Sequence, residues 1–123
     1  MTILFKSTML LNLTNHPSHQ WPENQTALAL ESYQNVTDLP FPQIAPSLTS
    51  DQLDELVGNY FQKVIELHPN AVHIMGEMTF TFRLVQKLKT FGISCIASTT
   101  ERVTEQIGEM KTSKFQFVQF REY

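Results

Sequence analysis

The chain has 123 residues, and at roughly 100 to 200 residues per domain this predicts a single domain over 1–123 with no second folded unit. With 41% apolar and 17% charged residues it can bury a core, which excludes a disordered segment. Nine Lys and Arg against twelve Asp and Glu give a formal net charge of −3 without any basic run, so duplex nucleic acid is not an expected partner, whereas one small anion in a local pocket is compatible.

The N-terminal stretch Met1–Lys6 is too short and too interrupted for a signal-peptide core, and the first element is an apolar strand from Met9 to Leu13. Pro22 suits the first turn of a helix running through Ala27, Leu28, Leu30 and Tyr33. A weaker strand follows at Asn35–Asp38, then a proline-stiffened loop over 39–46, whose Phe41 and Ile44 either cover a ligand or partner or pack on their own domain. After Pro46, Leu53, Leu56, Val57, Tyr60, Phe61, Val64 and Ile65 recur at the spacing of one helical face. Thr49 with Gln52 has the form of a capping box, and the helix should end near His68-Pro69-Asn70.

A strand at Ala71–Met75 precedes a helix with Phe80, Leu84, Val85, Leu88 and Phe91 on one face and Gly92 as its stop. The run Ile93–Ala97 reads as a buried strand. Its Cys95, the chain's single cysteine, allows no intrachain disulfide and reads as a core residue rather than a reactive thiol. A short fourth helix is expected from Thr100 to Gly108, and Phe115–Phe120, mixing aromatic and amide residues, is expected as an edge strand. Apolar runs without strict alternation suit strands covered on both faces. The class predicted is therefore α/β, a three-layer Rossmann-like sandwich on a mainly parallel sheet of about five strands, with the last antiparallel at the edge. No run approaches the length of a membrane span. The three Asn-x-Thr triplets, at Asn12, Asn24 and Asn35, have no supporting secretory signal, so a cytoplasmic location is expected.

In an open parallel sheet, ligands sit beyond the carboxyl ends of the strands. That rule gathers Asn15, His16, Ser18 and His19 after the first strand, Asp38 after the second, Gly76, Glu77 and Thr79 after the third, and Ser98, Thr99, Thr100, Glu101 and Arg102 after the fourth. Three hydroxyls and a guanidinium at an expected helix start make an anion site, against ordinary capping with Arg102 in a surface pair. Glu77 is a candidate general base or nucleophile, and equally a plain helix-start acid. His16 is a candidate proton carrier, or part of a turn on Pro17. His73 falls inside a strand and reads as a satisfied core residue. Neither a glycine-rich phosphate loop nor metal-ligand spacing occurs, so no nucleotide-enzyme loop, cofactor or metal is expected. A Ser18-His16-Asp38 triad lacks a nucleophile elbow.

A short strand running into Asn15-His16-Pro17-Ser18 and a later one running into Ser98-Thr99-Thr100-Glu101-Arg102, on a chain of this length, resemble the small CRISPR-associated proteins of CARF-like fold. Among these are ring nucleases that open cyclic oligoadenylate messengers. The resemblance implies a cytoplasmic homodimer that binds the cyclic ligand across its two-fold axis and cleaves it without metal. His16, Ser18, Glu77, Thr99, Thr100 and Arg102 would line each half-site, with Asn15, Gly76, Thr79 and Ser98 beside them. Two other expectations stand beside cleavage: a nucleotide sensor or sequestering protein using the same pocket, and glycosyl transfer or hydrolysis on a nucleoside through Glu77.

Overall fold

The computed structural model describes residues 8–123, and the stretch Met1–Lys6 lies outside the described residues. In chain order the elements are β1 (Met9–Leu13), a 3-10 turn at Ser18–Gln20, α1 (Glu23–Ser32), β2 (Asn35–Asp38), α2 (Ser50–Leu67), β3 (Ala71–Ile74), α3 (Met78–Thr90), β4 (Ser94–Ile107) and β5 (Met110–Glu122). The sheet runs β2-β1-β3-β4-β5, parallel through β4, with β5 antiparallel at the edge. This is the predicted α/β sandwich.

Alternation along the strands divides the core into two. Leu11 and Leu13 of β1 and Val72 and Ile74 of β3 face α2 and α3, where they meet Leu53, Val57, Phe61, Val64, Phe80, Leu84 and Leu88. Leu10 and Ala71 face the other way, onto Trp21, Ala29 and Ile96 beside α1. Cys95 is buried in the first of these cores, and burial pushes its thiol up to about 11, so it is no nucleophile at neutral pH.

The helix ends follow from local chemistry. Thr49 Oγ1 accepts from Gln52 N at 3.2 Å while Gln52 Oε1 accepts from Thr49 N at 3.0 Å, a complete capping box for α2. The helix stops at His68 in the left-handed region (φ 51°), ahead of Pro69. Pro22 is the N-cap of α1, one residue before the helical turn it was expected to occupy. Phe41, from the proline-stiffened loop, packs on its own domain: its ring lies 5.1 Å from that of Phe80, edge to face. A Cβ built on Gly76 would overlap three carbons of that ring, so the glycine is what admits Phe41.

One predicted element is replaced. There is no helix over 100–108; β4 continues to Ile107, turns through Gly108-Glu109 and returns as β5 in register, with Ile107 opposite Met110. The segment carries Thr99, Thr100, Val103, Thr104 and Ile107, β-branched residues that lose side-chain freedom in a helix and fit a pleated strand. Gly108 takes φ +62° at the first position of a two-residue loop, the residue that such a hairpin turn favours. Because pairing with β3 ends at Ile96, the outer part of the hairpin projects past the parallel sheet.

Candidate functional site

The strand order reverses at β1 and β3: β2 lies on one side of β1, and β3, β4 and β5 lie on the other. Crevices form at the carboxyl end of such a reversal. Here a row of residues in register crosses the sheet, Asp38 beside Asn12, Asn12 beside His73, and His73 beside Ile96. Asn12 and His73 are 1% and 2% exposed, polar groups placed at the floor of the site.

Asn12 is saturated. Its Nδ2 donates to the His16 carbonyl at 2.8 Å and to Asp38 Oδ1 at 2.9 Å. Its Oδ1 lies 3.0 Å from Thr14 Oγ1 and 2.9 Å from His73 Nδ1. Two acceptors on one side fix which end of the carboxamide is NH2, so Oδ1 must accept on the other. The His73 proton therefore sits on Nδ1, and Nε2 carries a lone pair. The His16 carbonyl also accepts from the Trp21 indole at 3.2 Å, and Asp38 holds Ser18 through its backbone N–H (3.0 Å) and its hydroxyl (2.9 Å). One buried amide thus shapes the whole turn after β1.

Above this floor lies a cavity of about 500 Å³ lined by Thr14, Asn15, His16, Gln20, Trp21, Pro22, Gln25, His73, Met75, Gly76, Ser98, Thr100, Phe115 and Phe117. The aromatic wall depends on a bulge in the hairpin. Ser98 faces Phe120 and Thr100 faces Phe117, so β5 spends one extra residue between them. Phe115, Phe117 and Phe120, spaced by two and then three, consequently share the crevice side, and the Phe117 and Phe120 rings are 5.0 Å apart. Sequence spacing alone had them on a plain edge strand.

Of the residues predicted for the site, Asn15, His16, Gly76, Ser98 and Thr100 line the cavity. Ser18 is turned to Asp38, with no bond to the His16 ring, so no triad is assembled. Thr99 points its hydroxyl to the Gln119 carbonyl at 3.1 Å. Glu77 is the N-cap of α3: its carboxylate accepts from Thr79 N (2.9 Å), Phe80 N (3.0 Å) and Thr79 Oγ1 (2.7 Å), and these bonds hold it below the usual carboxylate range. Glu77 and Thr79 thereby stand outside the lining. Arg102 does not sit at a helix start, since there is none; it lies opposite Phe115 on the hairpin, its guanidinium 3.3 Å from Ser113 Oγ.

The sequence reading missed His73, Trp21, Gln25 and the hairpin phenylalanines. His73 is half satisfied: its Nδ1 is bonded, while buried Nε2 has no hydrogen-bond partner among the described residues. Burial lowers its pKa to about 4, so the ring is neutral at pH 7. Its position in register beside Asn12, the first strand's one central polar residue, was the available signal.

The site and sheet together define a three-layer α/β protein with a crevice at its topological switch point. The chain belongs to the uncharacterized protein MJ1673 family, whose model matches residues 8–121 and so spans the crevice and all of the sheet but its last residue, Glu122. A search of curated proteins returned no match. Among the described residues no helix is long and apolar enough to cross a membrane.

Proposed function

We propose that the crevice binds a small nucleotide-type anion, with the base held among Trp21, Phe115 and Phe117 and the sugar-phosphate directed along Ser98 and Thr100 toward Arg102. The observation that carries this reading is the aromatic wall together with the hydroxyl and amide groups that line the same cavity of about 500 Å³ at the strand carboxyl ends. Aromatic faces stack any base, and the hydroxyls supply donors to ribose and phosphate oxygens. Arg102 follows Thr100 on the same hairpin face, one residue pair further out, where it meets charge without desolvating it in the floor.

The likeness to CARF-like proteins makes cyclic oligoadenylate the first ligand to test and a two-fold dimer the expected assembly. Apolar Met78 and Phe82, 82% and 63% exposed at the start of α3, support self-association near this edge. For cleavage, the His16 imidazole is the proton carrier, since it lines the cavity and, among the described residues, only its backbone groups are hydrogen-bonded. It takes the ribose 2′-hydroxyl proton; the 2′-oxygen attacks the adjacent phosphorus, the bond from phosphorus to the 5′-oxygen breaks, and that oxygen receives a proton. A 2′,3′-cyclic phosphate and a free 5′-hydroxyl result, with Arg102 stabilising the charge of the transition state.

The test incubates the protein with a panel of cyclic oligoadenylates without added metal and follows binding and products. Linear products that disappear in His16→Ala while binding persists support cleavage. Binding without products makes the protein a sensor or sequestering protein, and absence of both rules out cyclic oligoadenylate as the ligand.

A further inference from the structure

Among the described residues, His73 is the buried side chain at the floor of the crevice whose polar edge is left over after the protein's own bonds are made. Asn12 dictates its tautomer, so the free atom is an acceptor and not a donor. The residue is 98% buried by its 2% exposure, and Nε2 has no partner among the described residues. A buried acceptor left unpaired costs on the order of 1–3 kcal/mol, which a ligand that brings an N–H recovers. Trp21 and Phe120 pack against the ring edge to face, at 5.3 and 5.5 Å.

We infer that His73 Nε2 is the specificity-determining acceptor of the crevice and that it selects a nucleobase bearing an exocyclic amino group, whose N–H it accepts. This rests on the nucleotide reading above and adds which part of the ligand reaches the floor. Neutrality suits the role: the ring whose pKa lies near 4 accepts at physiological pH, whereas a protonated ring would repel the amino group. Gln25, 7% exposed and lining the same cavity, is placed to hydrogen-bond the remaining edge of the base.

The experiment compares adenosine 5′-monophosphate with purine riboside 5′-monophosphate, which lacks only the amino group, by calorimetry on the whole chain. The wild type is expected to prefer the amino-bearing nucleotide by about tenfold or more. His73→Asn keeps a donor for Asn12 at the Nδ1 position and removes the acceptor, so the preference should fall to within about twofold. His73→Gln, which returns an amide oxygen near Nε2, should restore much of it. Because a floor variant can fail to fold, nitrogen NMR on the wild type supplies the second readout: the unliganded ring should show the Nδ1–H tautomer, and Nε2 should shift toward a hydrogen-bonded value with adenosine monophosphate and not with the analogue. Equal affinity for the two nucleotides, or an Nε2 resonance that ignores the bound amino-bearing one, overturns this inference and leaves the nucleotide reading standing. If neither mononucleotide binds, this inference falls, and if no oligoadenylate binds either, the nucleotide reading falls with it.

Discussion

Asn12 and His73 face each other across the two adjacent parallel strands at the switch point, with Asn12 Oδ1 2.9 Å from His73 Nδ1. This contact connects the fold to the crevice, because the same carboxamide also holds the His16 carbonyl and Asp38. Removing it strands several groups at once. Asn12→Ala is expected to cost about 3 kcal/mol in urea unfolding, well above an ordinary surface substitution. A loss below about 1 kcal/mol would show that the network does not organise the turn.

His73 also sets a pH dependence. Its pKa is lowered by burial from 6.5 to about 4, so between those values the unfolded chain binds a proton that the folded one does not. Stability therefore falls as pH drops through that window. Linkage gives about 2 kcal/mol less at pH 5 than at pH 7. Glu77, held below the usual carboxylate range by its cap bonds, loses its contribution in the same direction as pH falls further. Unfolding curves of wild type and His73→Asn at both pH values separate the two, since only the histidine part vanishes in the variant.

Gly76 and Phe41 form a matched pair. Gly76→Ala should destabilise the protein by about 2 kcal/mol, because the new methyl meets the Phe41 ring. In a Phe41→Leu background the same change should cost much less, a non-additivity measurable by a double-mutant cycle on thermal or urea unfolding. Additive effects would mean the two do not share that space.

Phe115 separates binding from folding. It is 71% exposed and yet lines the crevice, so Phe115→Ala should leave stability within about 0.5 kcal/mol of wild type. Stacking on an aromatic face contributes about 1–3 kcal/mol per base, so nucleotide affinity in the variant should fall by about tenfold. Unchanged affinity would place the base elsewhere.

Much of the sheet was legible because its strands are short apolar runs between well-marked helices. Met9–Leu13 and Asn35–Asp38 match their expected bounds, and the Thr49–Gln52 box marks the start of α2 as predicted. The hairpin was not legible in the same way. Ser98-Thr99-Thr100-Glu101-Arg102 has the polar character of a helix cap, and only the β-branched residues together with Gly108 reveal a strand and a turn. That misreading put Arg102 at a helix start rather than on a hairpin, and it hid the aromatic wall, whose three phenylalanines share a side through a bulge that no local pattern announces. His73 was hidden for another reason. Strand position indicates that a histidine is buried, but its spare nitrogen depends on which way the neighbouring Asn12 turns its amide.

Trp21 is the chain's single tryptophan, and it lines the crevice with its indole N–H fixed on the His16 carbonyl. Its fluorescence is therefore a direct reporter of the proposed site. Titration with cyclic oligoadenylate and with adenosine monophosphate, paired with calorimetry, should give a saturable change in Trp21 emission that weakens in Phe115→Ala. Heat of binding without any change at Trp21, or neither signal with any nucleotide, would contradict the assignment of this crevice as a nucleotide site.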